Sequence, residues 1–216
     1  MENQLGAPKA SNPFNPVLYL ANTSKGRVSE MKLVLTGNPG TGKTSVAKEL
    51  ARHGFEYISA NEIAICGRAC TDCKKIAGKK RYSVDLKKLQ KMIAEKIKES
   101  KNECIVEGHL LCEIKLPCDY CVVLRCSPEV LRKRLMKKEK SWKLIEENII
   151  AEMLDYSTQL SEQNYPKQKV CELDTSKLTA KQVAKEIIKF ISNKKSKITL
   201  NGISWQKELE AYLTPL

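Results

Sequence analysis

Residues 31–37, MKLVLTG, form an apolar run that ends in glycine, the pattern of a strand buried inside a parallel sheet. The spacing then turns helical from Lys43 to Arg52, with Gly54 as the stop. Phe55-Glu56-Tyr57-Ile58 predicts a short second strand, and residues 59–84 show no regular pattern. Leu86, Leu89, Ile93 and Ile97 mark one face of a helix that Asp85 can cap. Cys104–Glu107 and Cys121–Arg125 predict the third and fourth strands. Ser127-Pro128 is a helix start, with cap and first-turn proline in the favoured order. Ser141 opens a long helix carrying Leu144, Ile145, Ile149, Met153 and Tyr156 near one face. Val170–Leu173 is the fifth strand, and Thr179 caps a last helix through Val183, Ile187 and Phe190.

Strands that alternate with helices imply a parallel sheet covered on both sides and connected right-handed. The expected fold is therefore a three-layer α/β/α domain over residues 31–193, built on a five-stranded parallel sheet. Residues 1–30 read as a flexible N-terminal extension, or the gene starts at Met31. Residues 194–216 read as a basic linker with a short amphipathic tail, in which Trp205 would dock onto the domain or onto a partner.

Composition narrows the function classes. With 216 residues, 42% hydrophobic and 29% charged, this is ordinary globular material of about one domain. No stretch approaches the ~20 apolar residues of a membrane span, and Val17–Ala21 is too short for a signal-peptide core. No membrane partner is expected, and the nine cysteines, lying inside predicted elements, suit a reduced, cytoplasmic protein. The net charge of +13 points to acidic partners: nucleotides, RNA or a ribonucleoprotein. Aromatic residues, at 6%, are too few for a base-stacking RNA platform.

The strongest chemical signal lies between the first strand and first helix. Gly37-Asn38-Pro39-Gly40-Thr41-Gly42-Lys43-Thr44 fits G-x-x-x-x-G-K-[ST] in the required strand–loop–helix setting. Glycines let backbone N–H groups wrap a phosphate, and the helix N-terminus adds positive potential. Gly37, Pro39, Gly40, Thr41, Gly42, Lys43, Thr44 and Ser45 are the expected contacts for ATP or GTP. Lys43 reaches the β- and γ-phosphates, and Thr44 can hold Mg²⁺. Such a cradle needs an acidic residue at a neighbouring strand end, and Glu107 is placed to supply it as the second metal ligand. His109, one of two histidines, would point into the same cleft. Gly108 between them allows a tight exit from the strand.

Taken together, GNPGTGKT, FEYISANEIA, VEGHLL, VVLRCSPEVLRKRL and IEENIIAEMLD resemble the adenylate kinase-like P-loop NTPases of small-ribosomal-subunit assembly. These include archaeal adenylate kinase-like proteins and relatives of the coilin-interacting nuclear ATPase. The resemblance covers about residues 31–193 and implies reversible phosphoryl transfer between ATP and a nucleoside monophosphate such as AMP. It also implies ATPase activity, and a role in maturing the small subunit through contact with a ribosomal protein or pre-ribosomal particle. It places the monophosphate-binding region in residues 59–84, starting at Ser59-Ala60-Asn61-Glu62, and a short lid in residues 137–145. Arg125, Arg134 and Lys138 match family cations that stabilise charge in transfer, Lys138 also contacting nucleotide. Two positions depart from the family pattern: Glu107 replaces the usual Asp, and Lys138-Glu139 replaces Arg-Gly in the lid. Two other readings stay open: an ATP-driven assembly switch with incidental kinase activity, and a small-metabolite kinase.

Two further patterns need weighing. Cys70-x₂-Cys73 and Cys118-x₂-Cys121 look like metal-ligand pairs, but 44 residues separate them, far beyond zinc-ribbon spacing. Cys66, Cys70 and Cys73 could form a smaller site; small buried hydrophobes are the simpler reading. Lys74, Lys75, Lys79, Lys80 and Arg81 make one basic cluster, and Arg132, Lys133, Lys137, Lys138, Lys140 and Lys143 another. Both suit phosphate capture, rRNA contact or a plain solvated face. Trp142 could stack on a base or pack.

Overall fold

The computed structural model describes residues 31–76, 79–139, 141–199 and 202–214. Five parallel strands form the central sheet: β1 (Lys32–Thr36), β2 (Glu56–Ser59), β5 (Cys104–Glu107), β6 (Tyr120–Arg125) and β7 (Val170–Asp174). Their order across the sheet is β2-β5-β1-β6-β7, so β1 is central and β5 lies beside it. Leu35 of β1 is in register with Glu107 of β5, which puts that carboxylate at the same edge as the loop leaving β1.

Alternation along β1 divides the core. Leu33 and Leu35 pack with Val46, Ala47 and Leu50 of α1 (Lys43–Ala51) and with Val183, Ala184 and Ile187 of α7 (Ala180–Ile191). Val34 faces the other layer, with Leu89, Ile93 and Ile97 of α3 (Leu86–Glu99). Asp85 caps α3 by accepting from the Lys88 N–H. Thr179 and Gln182 form a reciprocal capping box at the start of α7. Cys104, Cys121, Cys126 and Cys171 are wholly buried and serve as small packing residues. Among the described residues no helix is long and apolar enough to cross a membrane.

Two expectations need correction. Residues 59–84 are not irregular: they hold α2 (Ala60–Cys66) and an antiparallel hairpin, β3 (Cys70–Ile76) with β4 (Lys79–Val84). Ser59 caps α2 by accepting from the Glu62 N–H. Nor is the helix from Ser141 continuous to Tyr156. It stops as α5 (Trp142–Met153), turns at Asp155 in the left-handed region (φ 53°), and restarts as α6 (Tyr156–Asn164). Tyr156 is consequently exposed.

A third apolar cluster joins α4 (Pro128–Met136) to α5 through Cys126, Leu131, Leu135, Ile145, Ile149 and Met153. Trp205 and Leu209, at the start of and within α8 (Gln206–Leu213), pack on this cluster, so Trp205 docks the tail onto the domain. Residues 1–30 and the side chains of the basic run 74–81, with that of Cys73, lie outside the described residues, as does Lys140.

Candidate active site

The loop from Gly37 to Gly42 joins β1 to α1 at the carboxyl end of the sheet. Gly37 has φ +132°, and a Cβ there would sit 2.4 Å from the Leu124 carbonyl oxygen, so only glycine fits. Gly42 stands at the N-cap of α1 and brings no side-chain cap, which leaves the first-turn N–H groups to a ligand. Lys43 is buried, and its Nζ donates to the carbonyls of Gly37 (2.8 Å) and Asn38 (3.0 Å). Burial lowers its pKa to about 8, with the nearby Glu107 acting against the shift.

Thr44 Oγ1 donates toward both oxygens of Glu107, at 3.3 Å each. Tyr57 Oη donates to Glu107 Oε1 at 3.0 Å; burial and then the carboxylate push its own pKa to about 12. The buried Glu107 carboxylate thus sits among hydroxyl groups beside the cradle, as its place at the strand end led one to expect.

His109 lies beyond the strand. β5 ends at Glu107 and His109 begins a 3₁₀ turn, His109–Glu113, so strand alternation does not set its direction. Gly108 is in ordinary extended backbone (φ 169°) and makes no tight exit. It is needed because a Cβ would come within 2.7 Å of Ala60 Cβ, and its absence lets α2 press against the strand end. His109 is exposed at the rim shared by two hollows. One, of about 540 Å³, lies between α2, α3 and the 3₁₀ turn, and is lined by Ala60, Asn61, Ala64, Leu86, Leu89 and Glu113 among others. The second, of about 340 Å³, runs from Asn38 and Pro39 to α5.

Arg134 and Lys138 occupy a third hollow, of about 250 Å³, with Gly40, Gly42, Ser45 and Thr175. Arg134 donates to Thr175 Oγ1 (3.1 Å) and to the Thr175 carbonyl (2.7 Å), which ties it to the loop after β7. Both cations therefore share a hollow with the cradle glycines, separate from the two hollows that His109 lines. The expected lid is short: Lys137 to Ser141 link α4 to α5.

Arg125 does not reach the cleft, contrary to expectation. It is 1% exposed and paired with Glu152, Asp155 and Glu172. Burial opposes its charge, but those carboxylates more than offset this and hold its pKa above the ordinary value. It is a structural ion-pair centre. Arg132 is also engaged, pairing with Glu146 and lying 5.2 Å from the Trp142 ring centroid. Cys118 and Cys121 have thiols pushed up by burial, Cys118 to about 12. Cys70 Sγ donates to the Ala64 carbonyl.

Sequence reasoning missed Asn38, Tyr57 and Glu152. Asn38 is buried, donating through Nδ2 to Glu152 Oε2 (2.7 Å) and accepting at Oδ1 from Ser157 (3.2 Å). The only signal for Asn38 was its place among the variable positions of the P-loop motif; Tyr57 and Glu152 lay within the segments FEYISANEIA and IEENIIAEMLD that carry the resemblance, which gave neither a role.

Known proteins resemble this chain in sequence and in fold. The family described as AAA domain matches residues 33–155. A "Putative adenylate kinase" of Methanocaldococcus jannaschii is 36% identical over 185 residues, covering 85% of this chain and 98% of that protein. A protein of the same description from Archaeoglobus fulgidus is 34% identical over 183 residues, covering 83% and 94%. Among solved structures, shikimate kinase from Acinetobacter baumannii in complex with shikimate aligns with TM-score 0.51 at 16% identity, covering 76% of this chain and 95% of that one. TT1252 from Thermus thermophilus aligns with TM-score 0.53 at 14% identity, covering 76% and 97%. These two show a shared fold alone. With a glycine-rich cradle, its lysine and a strand-end carboxylate in register, the chain belongs to the AAA domain family and is an adenylate kinase-like P-loop NTPase.

Proposed function

We propose that the protein is a nucleoside monophosphate kinase that transfers the γ-phosphoryl group of ATP to AMP, giving two ADP, and hydrolyses ATP when water takes the acceptor's place. The observation that carries this is the hollow of about 540 Å³ lined by Gly108 and His109, immediately beyond the strand-end carboxylate of the cradle. Its size and its mostly apolar walls with Asn61, His109 and Glu113 suit a nucleoside, and Gly108 in its wall directly follows the carboxylate that Thr44 contacts, which supports a phosphate directed towards the P-loop.

An acceptor phosphate oxygen forms the new bond to the γ-phosphorus, and the bond to the β–γ bridging oxygen breaks in line with it. Lys43, now held by two carbonyls, supplies charge to the β- and γ-phosphates. The Thr44 hydroxyl and the Glu107 carboxylate are hard oxygen donors within hydrogen-bond distance of each other, which fits Mg²⁺. They would hold the ion, and it would neutralise charge on the phosphates. His109 orients the acceptor or water, and Arg134 and Lys138 meet the nucleotide from the hollow they share with Gly40 and Gly42. Replacing a family arginine with Lys138 removes a planar fork, which favours slower transfer.

Maturation of the small ribosomal subunit in the cytoplasm, through transient contact with one of its proteins, is part of this proposal. It is supported by the sequence resemblance and by the net charge of +13. A screen with labelled ATP against AMP, other monophosphates and water, with and without small-subunit particles, tests both parts. Rapid transfer to AMP is the expected result. Slow hydrolysis that particles stimulate would favour the assembly switch instead, and transfer to no monophosphate would remove the kinase reading.

A further inference from the structure

The buried pair Glu152 and Glu172 makes an unusual demand. Together with Asp155 they place three carboxylates around one arginine, so hydrogen-bond donors must hold the remaining charge. The C-terminal tail provides three of those donors. Trp205 Nε1 donates to Glu152 Oε1 at 3.2 Å, and the Gly202 and Ile203 N–H groups donate to Glu172 Oε2 at 3.2 and 3.3 Å. In return Arg125 donates to the Ile203 carbonyl. Tyr212 Oη donates to Glu146 of α5, which fastens the far end of α8.

Glu152 has a second side. Its Oε2 accepts from Asn38 Nδ2, and Asn38 is a cradle residue whose carbonyl accepts from Thr41 N–H, Thr41 Oγ1 and Lys43 Nζ. A continuous chain of hydrogen bonds therefore runs from Trp205 through one buried carboxylate to the loop expected to wrap the phosphates. The two donors hold one buried carboxylate in a single orientation, so a change at one end is felt at the other.

We propose that residues 202–213 act as a strap on the phosphate cradle, with Trp205 and Glu152 as positioning residues, so that strap docking and ATP binding favour each other. This rests on the P-loop taking ATP but not on the identity of the acceptor. By linkage, whatever affinity the docked strap gives ATP, ATP returns to strap docking. A partner that lifts the strap would loosen the nucleotide, and one that holds it down would tighten it.

The test uses the full chain. ATP affinity is measured for the parent, Trp205→Phe, Asn38→Ala and the double variant, with thermal midpoints recorded for each. Trp205→Phe keeps an aromatic ring on the α4–α5 cluster but removes the N–H donor, so folding should survive. The expected result is a two- to tenfold loss of affinity in each single variant, with the double variant losing clearly less than the product of the two. In a Trp142→Phe background, Trp205 emission should also shift on adding ATP. Independent, multiplicative losses with silent Trp205 emission would overturn the strap. Should Trp205→Phe fail to fold, the emission titration on the otherwise intact chain decides. ATP binding without any Trp205 response overturns the strap alone, whereas ATP binding with no transfer to any monophosphate overturns the kinase reading alone.

Discussion

Thr44 Oγ1 and the Glu107 carboxylate stand 3.3 Å apart, one from the helix that follows the cradle and one from the strand beside it. Their meeting depends on the register of β1 with β5, which aligns Leu35 with Glu107. Glu107→Gln keeps shape and one accepting oxygen for Thr44 and Tyr57 but removes the charge that suits a divalent cation. ATP affinity without metal should hold within a few-fold, while the Mg²⁺ concentration for half-maximal turnover rises at least about tenfold. A magnesium titration of turnover checks it; an unchanged midpoint would take Glu107 out of the metal site.

Lys43→Ala removes the cradle's buried ammonium. Transfer and hydrolysis should both fall by more than about a hundredfold, the scale of losing one preorganised charge at developing phosphate negativity. Turnover close to that of the parent would remove the P-loop from the mechanism.

ATP binding should depend on pH through the same lysine. Burial sets its pKa at about 8 in the empty cradle, and phosphate oxygens would raise it again. Above pH 8, binding must then take up a proton, so affinity is full below about pH 8 and falls by up to tenfold per unit as pH rises. Stability of the empty protein runs the other way. Its folded pKa lies below the ordinary 10.5, so the unfolded chain binds more protons between about 8 and 10.5, and stability rises across that window. Calorimetry in two buffers of different ionisation heat at pH 9 would show the uptake directly; a flat affinity from pH 7 to 9.5 would contradict it.

His109→Ala should keep ATP affinity within a few-fold, because the ring sits at the rim of the hollow proposed for the acceptor and is not a residue of the cradle loop. Turnover should drop roughly ten- to a thousandfold, the usual range for one positioned group. Affinity and turnover measured on one preparation separate a catalytic from a structural histidine.

Arg125→Met tests the reassignment of that residue. It leaves Glu152 and Glu172 buried without their cation, and should cost about 3–5 kcal/mol of stability by chemical denaturation. Full stability with lost turnover would restore Arg125 to the cleft.

The cradle was legible in the sequence because its glycines, lysine and threonine are contiguous and answer to one geometric need. Glu107 was legible because a strand end beside the first strand has few places to point. Arg125 misled because its partners lie 27, 30 and 47 residues further on, and position at a strand end cannot report them. Residues 60–66 are too short to show a helical period, and the lysines of the hairpin hide strand alternation, so neither element announced itself. The break at Asp155 was hidden for the opposite reason: apolar spacing carries on through Tyr156 as though the helix did.

That break has a geometric consequence for the cradle. Five residues along an unbroken helix turn about 500°, leaving positions 152 and 157 roughly 140° apart on its circumference. From such a rod Glu152 and Ser157 could not both address one amide. The left-handed turn at Asp155 redirects the chain, so that the carboxylate receives the Asn38 NH₂ group while the hydroxyl donates to its oxygen. Acceptor and donor at opposite ends of the amide fix which way it faces, and a flipped Asn38 would meet oxygen with oxygen. A β-branched residue at 155, which resists positive φ, would therefore be felt first as freedom of an asparagine far from it in sequence.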